Sequence, residues 1–292
     1  MANGGFGLEY WLQWQVFVCA LIIIIPSLVF IKFIKNTPTT NYYHLWLPCW
    51  RNLHPRWLFL YRLFAFLSMA YLLYLILAAF GPFVFFFYTQ WTFLLVTIYF
   101  ALGSVISAHG CWKQFRERSL SKMDSSSVEV SKINEEAGFW GNAMQNIYQA
   151  CAGASLLTDL VFWGLLLPFQ TGDTFKLTLL IGCMHSVNAV FLVLDSALNS
   201  LQFSWHGLRY FIFWSSAYIV FQWIMHMCCF SWWPYPFLEL ATPWAPMWYF
   251  GIALFHLPCY GIYVWLVKTK VSMLSKMFPH TFIRMVANEK QM

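Results

Sequence analysis

Long apolar runs separated by short polar knots set the pattern of this chain. Seven runs reach the length of about 20 residues that a helix needs to cross a hydrocarbon core: 12–34, 57–80, 83–111, 148–168, 177–198, 209–231 and 247–267. The second and third are divided only by Gly81-Pro82, a turn dipeptide whose proline suits a first helical turn. Gln170-Thr171-Gly172-Asp173 divides the fourth from the fifth, and Trp232-Trp233-Pro234-Tyr235-Pro236 ends the sixth. The pattern predicts an all-α polytopic membrane protein: one membrane domain, a bundle of seven spanning helices, with residues 113–141 as a solvated loop and 268–292 as a tail. Residues 12–34 read as an anchor and not as a cleaved signal. No positive charge precedes them, the run is too long, and Lys32 and Lys35 stand at its end.

Composition sharpens this reading. Apolar residues make up 60% of the 292, aromatic ones 21%, and charged ones only 10%, against about 25% charged in an average soluble domain. A soluble fold of this size cannot hide so much apolar surface. The same numbers exclude a disordered chain and a nucleic-acid module. Sixteen of the 17 basic residues fall on one side of a seven-span layout: Lys32 to Arg62, Lys113 to Lys132, Arg209, and Lys268 to Lys290. Only Lys176 falls on the other. The positive-inside rule then places the N-terminus outside or in a lumen, and both the 113–141 loop and the C-terminus in the cytoplasm. The net charge of +6 is thus a matter of topology and of anionic lipid heads. The serines of the loop (Ser119, Ser121, Ser125, Ser126, Ser127) belong to a solvated stretch. Most of the eight cysteines sit in apolar runs and no CxxC occurs, so neither a disulfide framework nor a thiolate zinc site is expected.

Polar groups inside spanning helices are costly and mark functional positions by default. At helical spacing they form stripes: Thr89, Thr92 and Tyr99; Ser155 and Asp159; His185, Asn188 and Asp195; Tyr218, Gln222 and His226; His256, Tyr260 and Tyr263 beside Pro258. With 1.5 Å of rise per residue, Thr92 lies roughly 14 Å and His185 roughly 12 Å below the outer end. The two therefore share a level in the outer half of the bilayer. Asp159 lies midway along its helix, and His226 near the outer end. A threonine hydroxyl attacks a carbonyl only when a neighbouring base takes its proton. His185 is the base at the right depth, and Thr89, one turn away, is the other candidate hydroxyl. A threonine bonded back to its own helix and a structural histidine are the plain alternatives.

The string Cys183-Met184-His185-Ser186, with an acid ten residues after the histidine, resembles the family of androgen-induced and androgen-dependent membrane proteins, hydrolases of fatty-acid esters of hydroxy fatty acids. Trp233-Pro234-Tyr235-Pro236-Phe237-Leu238-Glu239, after a helix carrying His226, is similar to that family's Tyr-Pro-Phe-Leu-Glu. Trp91-Thr92-Phe93 is similar to the surroundings of its nucleophile. Phe87-Tyr88-Thr89-Gln90-Trp91-Thr92 resembles the related rolling-stone branch, which the extra first helix and the long 113–141 loop also favour. The resemblance implies a multi-pass lipid-ester hydrolase of the plasma membrane or endomembranes, with Thr92 as nucleophile and His185 as base. Asp159, Asn188 and His226 would be supporting groups, membrane lipids the surroundings and the source of substrate, and no cofactor is implied. Two other classes remain: a non-enzymatic rolling-stone-like protein of cell fusion, lipid binding or scaffolding, and a zinc hydrolase built on His185, His226 and His256. No His pair at i, i+4 spacing supports the zinc site.

Overall fold

The computed structural model describes residues 7–34, 40–120, 135–169 and 177–283. The principal helices are α1 (Trp14–Ile34), α2 (Pro55–Phe80), α3 (Tyr88–Leu120), α4 (Phe139–Val161), α5 (Leu179–Met184), α6 (Val187–Leu198), α7 (Leu208–Cys228) and α8 (Ala245–Met277). Short helical turns and three isolated bridges make up the other regular structure among the described residues. Six helical rods, with α5–α6 counted as one, are long and apolar enough to cross a membrane, and α1 adds the shorter apolar stretch Trp14–Val29. Large apolar side chains point outward along the bundle, among them Leu21, Ile24, Phe64, Leu67, Val190, Leu194, Phe213, Val220, Phe250 and Leu254. Lipid is the solvent that accepts such a surface, and the chain is an integral, multi-pass membrane protein.

Helix ends depart from the apolar runs in a regular way. Gly81, at φ +71°, takes the left-handed backbone that closes α2. Pro82–Phe86 then forms a 3-10 turn, so α3 starts at Tyr88. At its far end α3 continues past Cys111 to Leu120, α4 begins at Phe139 instead of Tyr148, and α8 runs on to Met277. Hydropathy marks where a chain can sit in lipid; backbone hydrogen bonding continues into water. Lys113, Arg116 and Glu117 are such a wet extension of α3. In the early turns of α4, Gln145 and Gln149 are buried because both amides donate to the Gln202 carbonyl, at 2.6 and 2.8 Å. Helix therefore covers both ends of the 113–141 stretch, and the stretch after Val267 begins as helix. Ser121, Ser125, Ser126 and Ser127, the Gln170–Asp173 knot, Lys176 and residues 284–292 lie outside the described residues.

The two ends of the bundle are held differently. At the Trp50 end, segments distant in sequence are pinned by the bridges Asn41↔Glu136, Pro48↔Asn199 and Trp50↔Phe282. The turn Tyr42–Trp46 tucks Trp46 against Gly110 of α3, where a β-carbon would come within 2.2 Å of the indole. Tyr42 bonds His109 Nδ1 at 2.5 Å, and burial, with the Glu135 carboxylate nearby, pushes its hydroxyl up to about 12. At the Gly81 end, Tyr10 donates to Glu239 at 2.6 Å and accepts from Trp233 Nε1. The chain before α1 is thereby tied to the segment between α7 and α8, and α1 packs on those two helices.

Arg62, counted among the basic residues of one side, is fully buried in α2 and paired to Asp195 of α6, Nε to Oδ1 at 2.9 Å. Its Nη1 donates to the Leu45 carbonyl and to Ser107, while Tyr99 and Asn199 donate to the other carboxylate oxygen. A cation that finds a carboxylate and a carbonyl inside the bundle need not stay at the interface.

Candidate functional site

An apolar cavity of ≈ 190 Å³ lies between α1, the end of α4, α7, α8 and the Tyr235–Leu238 segment. Its walls are mostly aliphatic and aromatic side chains, with a band of hydroxyls that includes Tyr88, Thr89, Thr158, Ser215 and Ser216, and His256 among them. A hydrogen-bonded chain runs through that band. His256 Nδ1 lies 2.8 Å from the Ile252 carbonyl, Nε2 lies 2.8 Å from Ser215 Oγ, and Ser215 Oγ lies 2.7 Å from the Tyr88 hydroxyl.

These partners fix the proton positions. A carbonyl only accepts, so Nδ1 carries the hydrogen. Nε2 then holds a lone pair and accepts from the Ser215 hydroxyl, which in turn accepts from Tyr88. This is the tautomer a base needs to take a serine proton, with the Ile252 carbonyl orienting the ring from behind. The helices hold it in place. Ile252 and His256 are one turn apart in α8, and Ser215 faces them from α7. Phe211, one turn before Ser215, lies against the imidazole with ring centres 4.3 Å apart. Gly153 of α4 lets Phe211 come that close, since a β-carbon there would meet the phenyl ring at 2.4 Å.

The residues singled out from the sequence divide into three groups. Thr92 and Thr89 stand near the cavity. Thr92 is fully buried, its Oγ1 3.4 Å from Thr158 Oγ1 and close to the Tyr88 hydroxyl, while Thr89 lines the wall. Asp159, His185 and Asn188 gather at the end of α4. The His185 ring stacks face to face on Phe162, with centroids 3.5 Å apart, and Asn188 lies beside Asp159. His185 Nδ1, Asp159 Oδ1, Asn188 Nδ2 and Ser155 Oγ are buried without a hydrogen-bond partner. Among the described residues no hydrogen bond joins Thr92 to His185. They meet α4 one turn apart, at Thr158 and Phe162.

His185 also ends α5. It and Ser186 leave the helix before α6 starts, and Trp163 donates to the His185 carbonyl at 2.9 Å. The stripe of His185, Asn188 and Asp195 is therefore interrupted, and Asp195 belongs to Arg62. His226 lies elsewhere, at the Gly81 end, stacked on Trp233 at 4.0 Å and flanked by Tyr10 and Trp11. Among the described residues no three His, Cys, Asp or Glu side chains are placed to hold a metal ion.

Sequence reasoning took His256 as part of a stripe with Tyr260 and Tyr263 and as one of three candidate zinc ligands, and passed over Ser215. A serine in a spanning helix commonly serves as a small packing residue. The one available signal was that Tyr218 and Ser215 share a face of α7 at i, i+3, pointing to the same interior as His256. No family model matches the chain, and no curated protein or solved structure is similar to it.

Proposed function

We propose that this protein is a membrane lipid-ester hydrolase in which Ser215 is the nucleophile and His256 the base. The observation that carries the reading is the Ser215–His256 hydrogen bond, with its tautomer set by Ile252, on the wall of an apolar cavity. Ser215 Oγ attacks the ester carbonyl carbon as its proton moves to His256 Nε2. The imidazolium keeps its Nδ1 hydrogen on the Ile252 carbonyl and returns the other proton to the departing alcohol. Water, deprotonated by His256, then releases the acid from the serine. The resemblance to the androgen-induced family supports the same reaction class through a different pair, Thr92 and His185.

Seven spans, with the N-terminus outside or lumenal and the C-terminus cytoplasmic, complete the proposal. Supporting this count, α1 starts beside the 229–244 segment at the Gly81 end and leads into the Trp50 end. The charge asymmetry still supports the orientation once Arg62 is set aside.

The test is turnover of a panel of lipid esters by purified protein, with labelling by a fluorophosphonate probe. Ser215→Ala and His256→Gln should each lower turnover at least a hundredfold, and the double variant should be little worse, because nucleophile and base act as a unit. Thr92→Ala and His185→Ala should retain turnover within about tenfold. Loss of activity in those two, with Ser215→Ala spared, would move the chemistry to the pair the resemblance implies. No turnover and no label in the wild type would leave the non-enzymatic class.

A further inference from the structure

We infer that the cavity takes an uncharged ester lipid directly from the bilayer, through the gap between α1 and the end of α4. This rests on the hydrolase reading for the fate of the lipid, but not for its binding. The first observation is electrostatic. Among the described residues no Asp, Glu, Lys or Arg lines the cavity. Its one ionisable base, His256, has both ring nitrogens engaged, one by a carbonyl and one by a hydroxyl. A phosphate or carboxylate drawn inside would lose its hydration with no cation to replace it, a penalty far larger than that for an ester carbonyl. The Thr158 and Ser215 protons are held by the Ala154 carbonyl and by His256 Nε2, so these hydroxyl oxygens, with Ser216 Oγ, serve as acceptors for a free lipid alcohol beside the ester. Glu239, just after the Tyr235–Leu238 wall, is held by Tyr10 and the Ala241 amide and further disfavours anionic heads.

The second observation is the shape of the opening. α1 packs on α7 and α8 and scarcely on α4, yet Ile22, Ile23 and Pro26 of α1 and Leu165 and Leu166 after α4 all line the cavity. The wall between them is thus made of side chains without helix-to-helix packing. Both edges of this gap depart from regular helix. On one side Phe162–Leu166 is a π-helical turn, a wider winding often found at functional sites. On the other, Pro26 deprives the Ile22 carbonyl of its helical donor. Ser27, the next residue, meets Ser216 hydroxyl to hydroxyl at 3.0 Å. This contact fastens α1 beside Ser215 and leaves the α4 side of the opening unfastened.

The experiment uses full-length protein reconstituted in phosphatidylcholine vesicles. A diazirine-bearing diacylglycerol and a phosphatidylcholine with the same chains are photolysed in parallel, and the adducts are mapped. The diacylglycerol should label Ile22–Pro26 and Leu165–Leu166 at least tenfold more than the phospholipid does. Ile22→Trp and Leu166→Trp, which fill the gap from opposite sides, should each abolish that labelling while a small fluorophosphonate still reaches Ser215. Equal labelling by the phospholipid overturns the selectivity. Unchanged diacylglycerol labelling in both tryptophan variants overturns the route. If Ser215 is never labelled but the lipid adducts form as described, the hydrolase reading fails and the binding inference stands.

Discussion

Replacing Asp195 by Asn tests how far the buried ion pair supports the bundle. The change is nearly isosteric, so it opens no cavity; what it removes is the countercharge of a fully buried guanidinium. Arg62 keeps the Leu45 carbonyl and Ser107 Oγ as acceptors, but the new amide presents an NH₂ to Tyr99 or Asn199, both of which donate to the carboxylate. Leaving one member of a buried pair uncompensated costs about 3–5 kcal/mol. Arg62→Met, which keeps most of the side-chain volume and strands Asp195 instead, falls in the same range of about 3–5 kcal/mol. If the two sites were independent, the double variant would lose about 6–10 kcal/mol. Because the double variant carries no buried charge, it should lose little more than either single one, a coupling of at least ~2 kcal/mol. The four proteins can be compared by equilibrium unfolding in mixed micelles of rising SDS fraction, followed by tryptophan fluorescence. Losses that add to within about 0.5 kcal/mol, or an Asp195→Asn cost below about 1 kcal/mol, would refute the reasoning: Arg62 would then be satisfied without its carboxylate.

Three further outcomes are expected. Gly110→Ala should destabilise by about 1–3 kcal/mol in the same assay, because the buried Trp46 indole has nowhere to retreat. Tyr88→Phe removes the donor to Ser215 Oγ and should slow ester turnover about tenfold, one hydrogen bond's worth of barrier, with unchanged unfolding; an equal loss of stability would make Tyr88 a packing residue. Epitope tags after Ser126 and after Met292 should show the same accessibility in sealed vesicles, and opposite accessibility would contradict the proposed topology.

Crossing helices were legible because a 20-residue apolar run is a strong signal, and the Gly81-Pro82 punctuation gave the turn after α2. Helix ends were not, since α3 and α8 continue into water on residues such as Lys113 and Lys276 that favour helix but not lipid. The partner of Asp195 was hidden for another reason. Arg62 lies only a few residues into its helix, and from sequence alone it reads as an interfacial charge. Depth did bring Thr92 and His185 to one helix, α4, but to successive turns of it, at Thr158 and Phe162. The two sit one turn apart along it, with no hydrogen bond between them. Ser215 and His256 come from different helices, and no local pattern announces that two faces will meet.

The packing of α1 has a consequence for how the chain is made. Its neighbours, α7 and α8, are synthesised after α2 to α6. Roughly 170 residues separate Ile34 from Leu208, which at about 5–20 residues per second take roughly 10–35 s. For that interval α1 is without its final partners. Its sequence suits the wait: apart from Gln15 near the start and Ser27, the stretch from Trp14 to Ile31 is wholly apolar or proline, so it leaves little exposed to hydrocarbon that needs a hydrogen bond. One wall of the cavity is thus synthesised well before the two helices it packs on. A chain truncated before α7 should insert α1 correctly and still have no cavity.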